Sequence, residues 1–153
     1  MQLICIYNIS KVMKKSKQEI ISHEILRNKK LKITPSRVAI LDILISQHSP
    51  LSVEDIEKAL DIDVNTSTIY RTLEVLSLNN VLYQTDFRDG KIYYEYQQSH
   101  HHHIVCKKCG KKEGVSLCVE SYIPEILKSS KKFNKVEDHM LEFFGVCKKC
   151  EIK

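Results

Sequence analysis

Hydrophobic residues in the first half of the chain recur at the three- and four-residue spacing of helices. The segment 16–30 predicts a weakly amphipathic helix. Thr34 and Pro35 provide an N-cap and a first-turn proline for the next helix, and Ser52 with Asp55 matches a capping box for a third. A fourth helix is predicted over residues 66–79. Each of the four helices has one face that we expect to be buried. In chain order, these faces are Ile20, Ile21, Ile25 and Leu26; Val38, Leu41, Leu44 and Ile45; Ile56, Ala59 and Leu60; and Ile69, Leu73 and Leu76.

From residue 81 the spacing changes, and hydrophobic and polar residues alternate. VLYQTDF and KIYYEY are period-two runs, and the Arg88-Asp89-Gly90 that separates them contains an Asp-Gly pair, which favours the left-handed backbone of a tight hairpin. Helices followed by a hairpin are the order of a winged helix-turn-helix. Beyond the hairpin, the pattern predicts strands near 102–106 and 112–119, a helix near 120–131 and a strand near 133–146.

These elements predict an α+β protein with two domains. We expect a winged-helix DNA-binding domain over residues 16–96 and a metal-binding domain over 97–153. The segment before Met13 is interpreted as an extension, so residues 1–15 are expected to be disordered. The opening MQLICIYNIS has no signal-peptide cleavage site, and no segment approaches the ~20 apolar residues of a membrane span. We therefore expect a cytoplasmic protein that does not act at a membrane.

Charge is unevenly distributed, although the formal net charge of the 153 residues is only +5. Residues 1–50 contain nine Lys/Arg and three Asp/Glu, residues 51–100 contain four and nine, and residues 101–153 contain eleven and seven. A basic leading segment suggests a polyanionic partner. On charge alone, a solvated lysine-rich face is the more common explanation.

The predicted helix over residues 66–79 leaves a polar face outside. Ser67, Tyr70, Arg71 and Glu74 share that face because they fall at i, i+3, i+4 and i+7. Arginine pairs with guanine or phosphate, and tyrosine offers a ring to a thymine methyl group and a hydroxyl to phosphate. An ordinary surface helix is the alternative, but the preceding helix and following hairpin favour DNA recognition. The predicted DNA contacts are Thr66, Ser67, Tyr70 and Arg71, with Arg37 near the DNA backbone.

The cysteine spacing adds a metal site. Four of the six cysteines form two Cys-Lys-Lys-Cys pairs, and thiols stay reduced in the cytosol. Each pair can present both sulfurs to one ion, and two pairs make a closed tetrahedral zinc site. A redox-active pair is the alternative, but it does not require duplication. We predict structural Zn²⁺ at Cys106, Cys109, Cys147 and Cys150, and we interpret Cys118 as a buried apolar residue.

Four consecutive histidines, residues 100–103, precede the first cysteine pair. Side chains alternate along a strand, so His101 and His103 are expected on one face and His100 and His102 on the other. Imidazole binds Zn, Fe, Ni and Cu, so one metal site can form on each face if further ligands come from elsewhere. A plain polar turn is the alternative. The candidate partners are Glu95, Glu113, Glu120 and His139.

Three stretches in order, TSTIYRTLEVL, HHHHIVCKKCG and HMLEFFGVCKKC, resemble the ferric uptake regulator family of bacterial metal-responsive repressors. The resemblance runs from about residue 20 to the end of the chain. It implies a winged helix-turn-helix domain followed by an α/β dimerisation domain with the structural zinc on the four paired cysteines. It also implies a homodimer that binds a palindromic operator in double-stranded DNA.

The resemblance further implies two metal sites. The regulatory site maps onto Glu95, His101 and His103, together with Glu113 if one residue is deleted after Gly110. The family has another sensing histidine where this chain has Pro50, and His48 lies two residues earlier. The same deletion aligns an additional site of His100, His102, Glu120 and His139. His102 stands where aspartate is frequent, which leans toward Zn²⁺; Fe²⁺ is also expected as a regulatory ion, and Mn²⁺ is an alternative.

The expected function is metal-dependent repression of metal-uptake or metal-homeostasis genes. A metal that joins Glu95, at the end of the predicted hairpin (the wing), to His101 and His103 would fix the spacing of two recognition helices on an operator. One alternative is a peroxide sensor of the same family. A zinc-dependent hydrolase is an alternative from another class, but the sequence contains no H-E-x-x-H motif. We therefore expect a regulator and not an enzyme.

Overall fold

The computed structural model describes residues 18–47, 49–97 and 99–152. The chain divides into two compact units, and the division falls between Tyr96 and Gln97. The predicted extension over residues 1–15 and the predicted ligand His48 lie outside the described residues. Among the helices of the described ranges, none is both long enough and apolar enough to cross a membrane.

The first unit combines helices with a small antiparallel sheet. Its described helices are α1 (18–28), α2 (Pro35–Ser46), α3 (Val53–Ala59) and α4 (Thr66–Leu78). Its strands are β1 (Leu51–Ser52), β2 (Tyr83–Asp86) and β3 (Ile92–Glu95), in the order β1-β3-β2.

Local side-chain bonds fix where α2 and α3 begin. The Thr34 side chain accepts a hydrogen bond from a backbone N–H at the start of α2, and proline occupies the first turn. In α3, the Asp55 N–H donates to the Ser52 hydroxyl at 3.2 Å, and the Ser52 N–H donates to the Asp55 carboxylate at 3.1 Å. These bonds satisfy N–H groups that have no partner within a helix. Both predicted caps are confirmed.

The core of the first unit is formed by aliphatic side chains from all four described helices. The stripe predicted for α4 is confirmed, because Ile69, Leu73 and Leu76 are wholly buried. The face predicted for α3 is confirmed at Ile56 and at Leu60, which is half-buried against the core. It is wrong at Ala59, which is exposed, and Val53 supplies a further buried position. Burying each such aliphatic side chain stabilises the fold by about 1.5–3 kcal/mol.

The predicted hairpin forms, but its turn differs from the expected tight turn. The pairing of Asp86 with Ile92 leaves residues 87–91 in the loop. The left-handed residues are Arg88 and Gly90, with φ of 62° and 79°. The Asp86 carboxylate accepts a bond from the Arg88 N–H at 2.7 Å, so side-chain acceptors hold a longer loop.

The second unit has a three-stranded sheet with β4 (His102–Cys106) at its centre. The strand β5 (Lys112–Val115) pairs with β4 in antiparallel orientation, and β6 (Glu142–Gly145) pairs with it in parallel. A 3₁₀ turn (Glu120–Tyr122), α5 (Ile123–Ser129) and α6 (Lys148–Glu151) complete the described elements. The predicted strand, helix and strand are present, although β5, α5 and β6 are shorter than the sequence pattern suggested. As the central strand, β4 offers side chains to both faces of the sheet.

Candidate metal centres and nucleic-acid interface

Four cysteine sulfurs converge beside the end of β4. The parallel pairing of Cys106 with Gly145 brings the segment after β6, which carries Cys147 and Cys150, next to the first cysteine pair. The four Sγ atoms lie within 4.8 Å of one another, and those of Cys109 and Cys147 are 3.7 Å apart. Sulfurs about 2.3 Å from a tetrahedral Zn²⁺ lie about 3.8 Å apart. The donor set therefore fits the predicted structural zinc.

The electrostatics of this cluster favour a cation at its centre. The Cys147 N–H donates to Cys106 Sγ at 3.3 Å, and this bond is the largest cause that lowers the pKa of Cys106, to about 6. Hydrogen bonding with the sulfurs of Cys109 and Cys147 raises the pKa of Cys150 to about 12. Four thiolates repel one another without a cation, whereas bound Zn²⁺ favours the thiolate form of every ligand.

The four histidines divide between the two faces of β4, as the alternation predicts. The ring centroids of His101 and His103 lie 4.8 Å apart on one face. Those of His100 and His102 lie 4.7 Å apart on the other face. The alternative of a plain polar turn is therefore wrong, because His102 and His103 lie within the strand.

The neighbours of His101 and His103 differ from the predicted set. Residues directly opposite each other in a ladder share a face; His103 lies opposite Gly114, whereas Glu113 lies opposite Ile104 and is exposed. Glu113 therefore lies on the opposite face of the sheet from His103, and the expectation that it joins the two imidazoles is corrected. A difference of one residue in the pairing of β4 with β5 decides the face on which a side chain lies. On the parallel edge, the Cα partner of His103 is Glu142.

The glycine opposite His103 leaves room for its neighbour. A Cβ atom built on Gly114 would lie 3.3 Å from Cδ2 of His101, which is tighter than an ordinary contact.

The predicted ligand Glu95 belongs to the first unit, where it is the last residue of β3 and pairs with Tyr83.

Three imidazoles and one thiol converge on the opposite face of β4. His102 Nε2 lies 3.1 Å from His100 Nε2 and 3.2 Å from His139 Nε2. The Cys118 sulfur lies 3.2 Å from His139 Nε2. Burial, followed by the neighbouring His100 and His139, lowers the pKa of His102, which favours the neutral, metal-binding form of its ring.

The fourth member of this group is a residue that sequence reasoning missed. Cys118, interpreted as a buried apolar residue, is half-buried and belongs to the cluster with the three histidines. The predicted ligand Glu120 is exposed, and its backbone N–H donates to Cys118 Sγ at 3.3 Å. Its carboxylate is not among the four converging groups. The available signal was an unpaired cysteine two residues before a predicted ligand.

The outer face of α4 is polar and accessible. Tyr70 is 55% exposed, and Ser67 and Arg71 are exposed beside it. The Ser67 hydroxyl donates to the Asn65 side chain at 2.7 Å, and the Thr66 hydroxyl donates to a glutamate of α3. The two longer side chains, Tyr70 and Arg71, are therefore the best placed to reach a ligand.

The remaining predicted DNA contact, Arg37, lies at the start of α2. Its side chain is half-buried, and Nη1 donates to the backbone carbonyl of Lys32. This bond orients the guanidinium group along the segment that leads into α2. A phosphate contact by Arg37 remains a prediction.

The chain is similar to known proteins in both sequence and structure. The ferric uptake regulation protein of Bacillus subtilis is 32% identical over 136 residues, which cover 84% of this chain and 91% of that protein. The peroxide-responsive repressor PerR of Staphylococcus aureus is 31% identical over 144 residues, 88% and 97% of the two chains. The Helicobacter pylori ferric uptake regulator, whose structure is described as revealing three functional metal-binding sites, matches with a TM-score of 0.71. Its sequence is 25% identical, and the match covers 90% of this chain and 93% of that one.

A sequence model of the same family matches most of the chain, from residue 28 to residue 144. The matched region contains α4, the wing, the four histidines and the first cysteine pair. The second cysteine pair follows directly after it. The chain belongs to the ferric uptake regulator family.

Proposed function

We propose that this protein is a metal-responsive repressor of metal-uptake or metal-homeostasis genes that binds double-stranded operator DNA as a homodimer in the cytoplasm. The observation that carries the proposal is the pair of imidazoles on each face of β4, a strand that begins shortly after the wing ends at Glu95. Family membership supports regulation over the zinc hydrolase alternative. It also supports the dimer and the palindromic operator.

The DNA-reading role belongs to α4 in this proposal. The first turns of a recognition helix enter the major groove, and the exposed Tyr70 and Arg71 lie within them. A bidentate contact from arginine to guanine contributes about 1–3 kcal/mol to base discrimination. We therefore expect Arg71→Ala to weaken operator binding by that amount and to relax the preference at one base pair. Arg27→Ala, an exposed arginine on α1, is the matched control and leaves binding unchanged.

The regulatory ion is proposed to be Zn²⁺ or Fe²⁺, with Mn²⁺ as an alternative. His101 and His103 supply two nitrogens, the family resemblance supports Glu95 as a carboxylate ligand, and the register of β6 supports Glu142 as a second one. His48 stays a prediction because it lies outside the described residues. To shift a two-state equilibrium from 1:99 to 99:1, the ion must favour the DNA-competent state by roughly 5.5 kcal/mol.

The four cysteines are proposed to hold a structural zinc. Cys106 ends β4, Cys147 caps α6 and Cys150 lies in α6, so one ion ties the central strand to the last helix. Such sites are closed to solvent and contribute directly to folding. In this chain, the zinc held by the four cysteines would keep β4 in place, and with it the two pairs of imidazoles.

Operator binding under separate metals tests this proposal. Randomised duplex DNA is selected on the zinc-loaded protein, and the selected duplex is then titrated with protein in Zn²⁺, Fe²⁺ or Mn²⁺, with a chelator as reference. We expect one or more ions to tighten binding by about 5–150-fold, the usual range of allosteric coupling. If the affinity for the selected DNA is the same under every ion and under the chelator, the protein is not metal-responsive.

Peroxide sensing is a second candidate, favoured by the 31% identity to the peroxide-responsive repressor of Staphylococcus aureus. Bound Fe²⁺ would then direct oxidation to a histidine ligand. The iron-loaded protein is treated with peroxide and digested, and the mass of the peptide containing His101 and His103 is measured by mass spectrometry. Addition of one oxygen atom to that peptide, together with loss of DNA binding, supports peroxide sensing; an unmodified peptide excludes it.

A further inference from the structure

The cluster of His100, His102, His139 and Cys118 contains more close contacts than hydrogen bonds can explain. An Nε2 atom of neutral imidazole carries either one proton or one lone pair. It therefore makes one good hydrogen bond, yet His102 Nε2 has a second Nε2 at 3.1 Å and a third at 3.2 Å. His139 Nε2 also faces the Cys118 sulfur at 3.2 Å. One cation would accept lone pairs from all four atoms at once.

The spacing of the four donors matches a tetrahedral ion. Nitrogens about 2.0–2.1 Å from zinc and a sulfur about 2.3 Å from it lie about 3.3–3.6 Å apart at the corners of a tetrahedron. The observed separations of 3.1–3.2 Å fall a few tenths of an ångström below that range. A small movement of flexible side chains closes the difference. All four donor atoms lie within 4.8 Å of one another.

The elements that carry these donors converge on one ion from different parts of the second unit. His102 begins β4 and His100 lies two residues before it, Cys118 follows β5, and His139 precedes β6. The Glu120 N–H donates to the Cys118 sulfur at 3.3 Å. The same turn leaves the Glu120 carboxylate exposed and outside the donor set.

We propose that His100, His102, His139 and Cys118 form a closed four-coordinate metal site that selects Zn²⁺ over Mn²⁺ and Fe²⁺ through the Cys118 thiolate. Thiolate and imidazole ligands favour Zn²⁺, whereas oxygen ligands suit Mn²⁺. This site has three nitrogens and one sulfur in place of the predicted glutamate oxygen. It binds its ion whether or not DNA binding responds to metal, so it goes beyond the regulatory proposal.

Cobalt spectroscopy distinguishes a thiolate ligand from nitrogen and oxygen ligands. The full chain with Cys5→Ser, which removes a cysteine outside the described residues, is loaded with one equivalent of Zn²⁺ to fill the four-cysteine site. Cobalt does not displace that zinc, because Co²⁺ binds such ligands more weakly. Titration with Co²⁺ is expected to give the visible bands of a four-coordinate ion and a near-ultraviolet thiolate-to-cobalt charge-transfer band. Absence of the charge-transfer band overturns the proposal.

Two substitutions of the thiol test the assignment within this background. Cys118→Ser should abolish the charge-transfer band and weaken Zn²⁺ binding at this site by about tenfold or more. Cys118→Asp should keep the visible cobalt bands, lose the charge-transfer band, and shift the Zn²⁺-over-Mn²⁺ preference about tenfold toward Mn²⁺. Because Cys118→Asp restores a ligand, it remains informative if the serine variant is unstable. A charge-transfer band that survives in either variant contradicts a Cys118 ligand.

A matched double substitution separates this site from the regulatory one. His101→Ala/His103→Ala removes imidazoles from the other face of β4 and should leave the charge-transfer band and the Zn²⁺ affinity of the Cys118 site unchanged. Loss of the metal response with retention of the band supports two independent sites. Loss of the band in this double variant overturns the assignment to Cys118, whatever happens to DNA binding.

Discussion

The two faces of β4 begin with the same chemistry and end with different surroundings. Each presents two imidazoles, with ring centroids 4.7 Å apart on one face and 4.8 Å apart on the other. On the His102 face, Cys118 and His139 complete a four-donor group within the second unit. On the His103 face, the neighbouring strands offer a glycine and Glu142. A face whose ligands all belong to one unit suits permanent binding, whereas a face that needs further ligands suits a response.

Loss of the four-cysteine site should affect both faces of β4 and should have the greatest effect, because this site holds the end of the strand that the two faces share. Cys147→Ser removes one ligand of the four-cysteine site that holds the end of β4. Structural zinc contributes apparent free energies of about 10–16 kcal/mol in small zinc domains, which matches or exceeds the about 5–15 kcal/mol total stability of a typical domain. We therefore expect the second unit to lose its cooperative thermal transition and one zinc per chain, measured by calorimetry and metal analysis.

The control for that variant is a cysteine of the other cluster. Cys118→Ser should keep the zinc bound by the paired cysteines and keep the second unit folded. A Cys147→Ser protein with unchanged zinc content and unchanged melting temperature would show that the four cysteines do not hold a structural ion.

Neutralising the residue that pairs with His103 tests the difference between the two faces. Glu142→Gln keeps the side-chain shape but removes the charge of the residue paired with His103, so the affinity for the regulatory ion should fall by about tenfold. Glu113→Gln is the matched control, because Glu113 lies opposite Ile104 and should have no effect. The affinity is measured by the metal concentration that gives half-maximal DNA binding. The reverse outcome, an effect of Glu113 alone, would support the ligand set aligned by deletion.

A smaller effect is expected from filling the space beside His101. The added methyl of Gly114→Ala would lie 3.3 Å from the His101 ring, so the ring must shift by a few tenths of an ångström. The affinity for the regulatory ion should fall by less than about tenfold, while stability rises by up to about 1 kcal/mol because alanine suits a strand better than glycine. The cobalt band of the Cys118 site should not change. Equal losses at both sites would indicate general damage to the sheet.

The sequence predicted the parts of the molecule that depend on local signals. The N-cap of α2, the capping box of α3 and the buried stripe of α4 each follow from residues within a few positions of one another. The alternation of the histidines also follows from strand geometry alone.

Ligands that come from distant segments were not predictable in the same way. The face on which Glu113 lies depends on the register between β4 and β5, and a slip of one residue reverses it. Cys118 meets His139 across 21 positions of the chain, so no local pattern identifies the contact. The long loop of the hairpin was missed because the carboxylate of Asp86, outside the Asp-Gly pair, supports it.

The His101/His103 face of β4, and not the His102 face, is proposed to make DNA binding depend on metal. The most direct test measures the affinity for the selected duplex with and without the regulatory ion in the His101→Ala/His103→Ala variant, after sedimentation has verified a folded dimer. We predict that the metal-dependent increase disappears, a change of about 5–150-fold, while the Cys118 site still binds cobalt. A double variant whose DNA affinity rises with metal as much as that of the unaltered protein would show that His101 and His103 do not sense the ion.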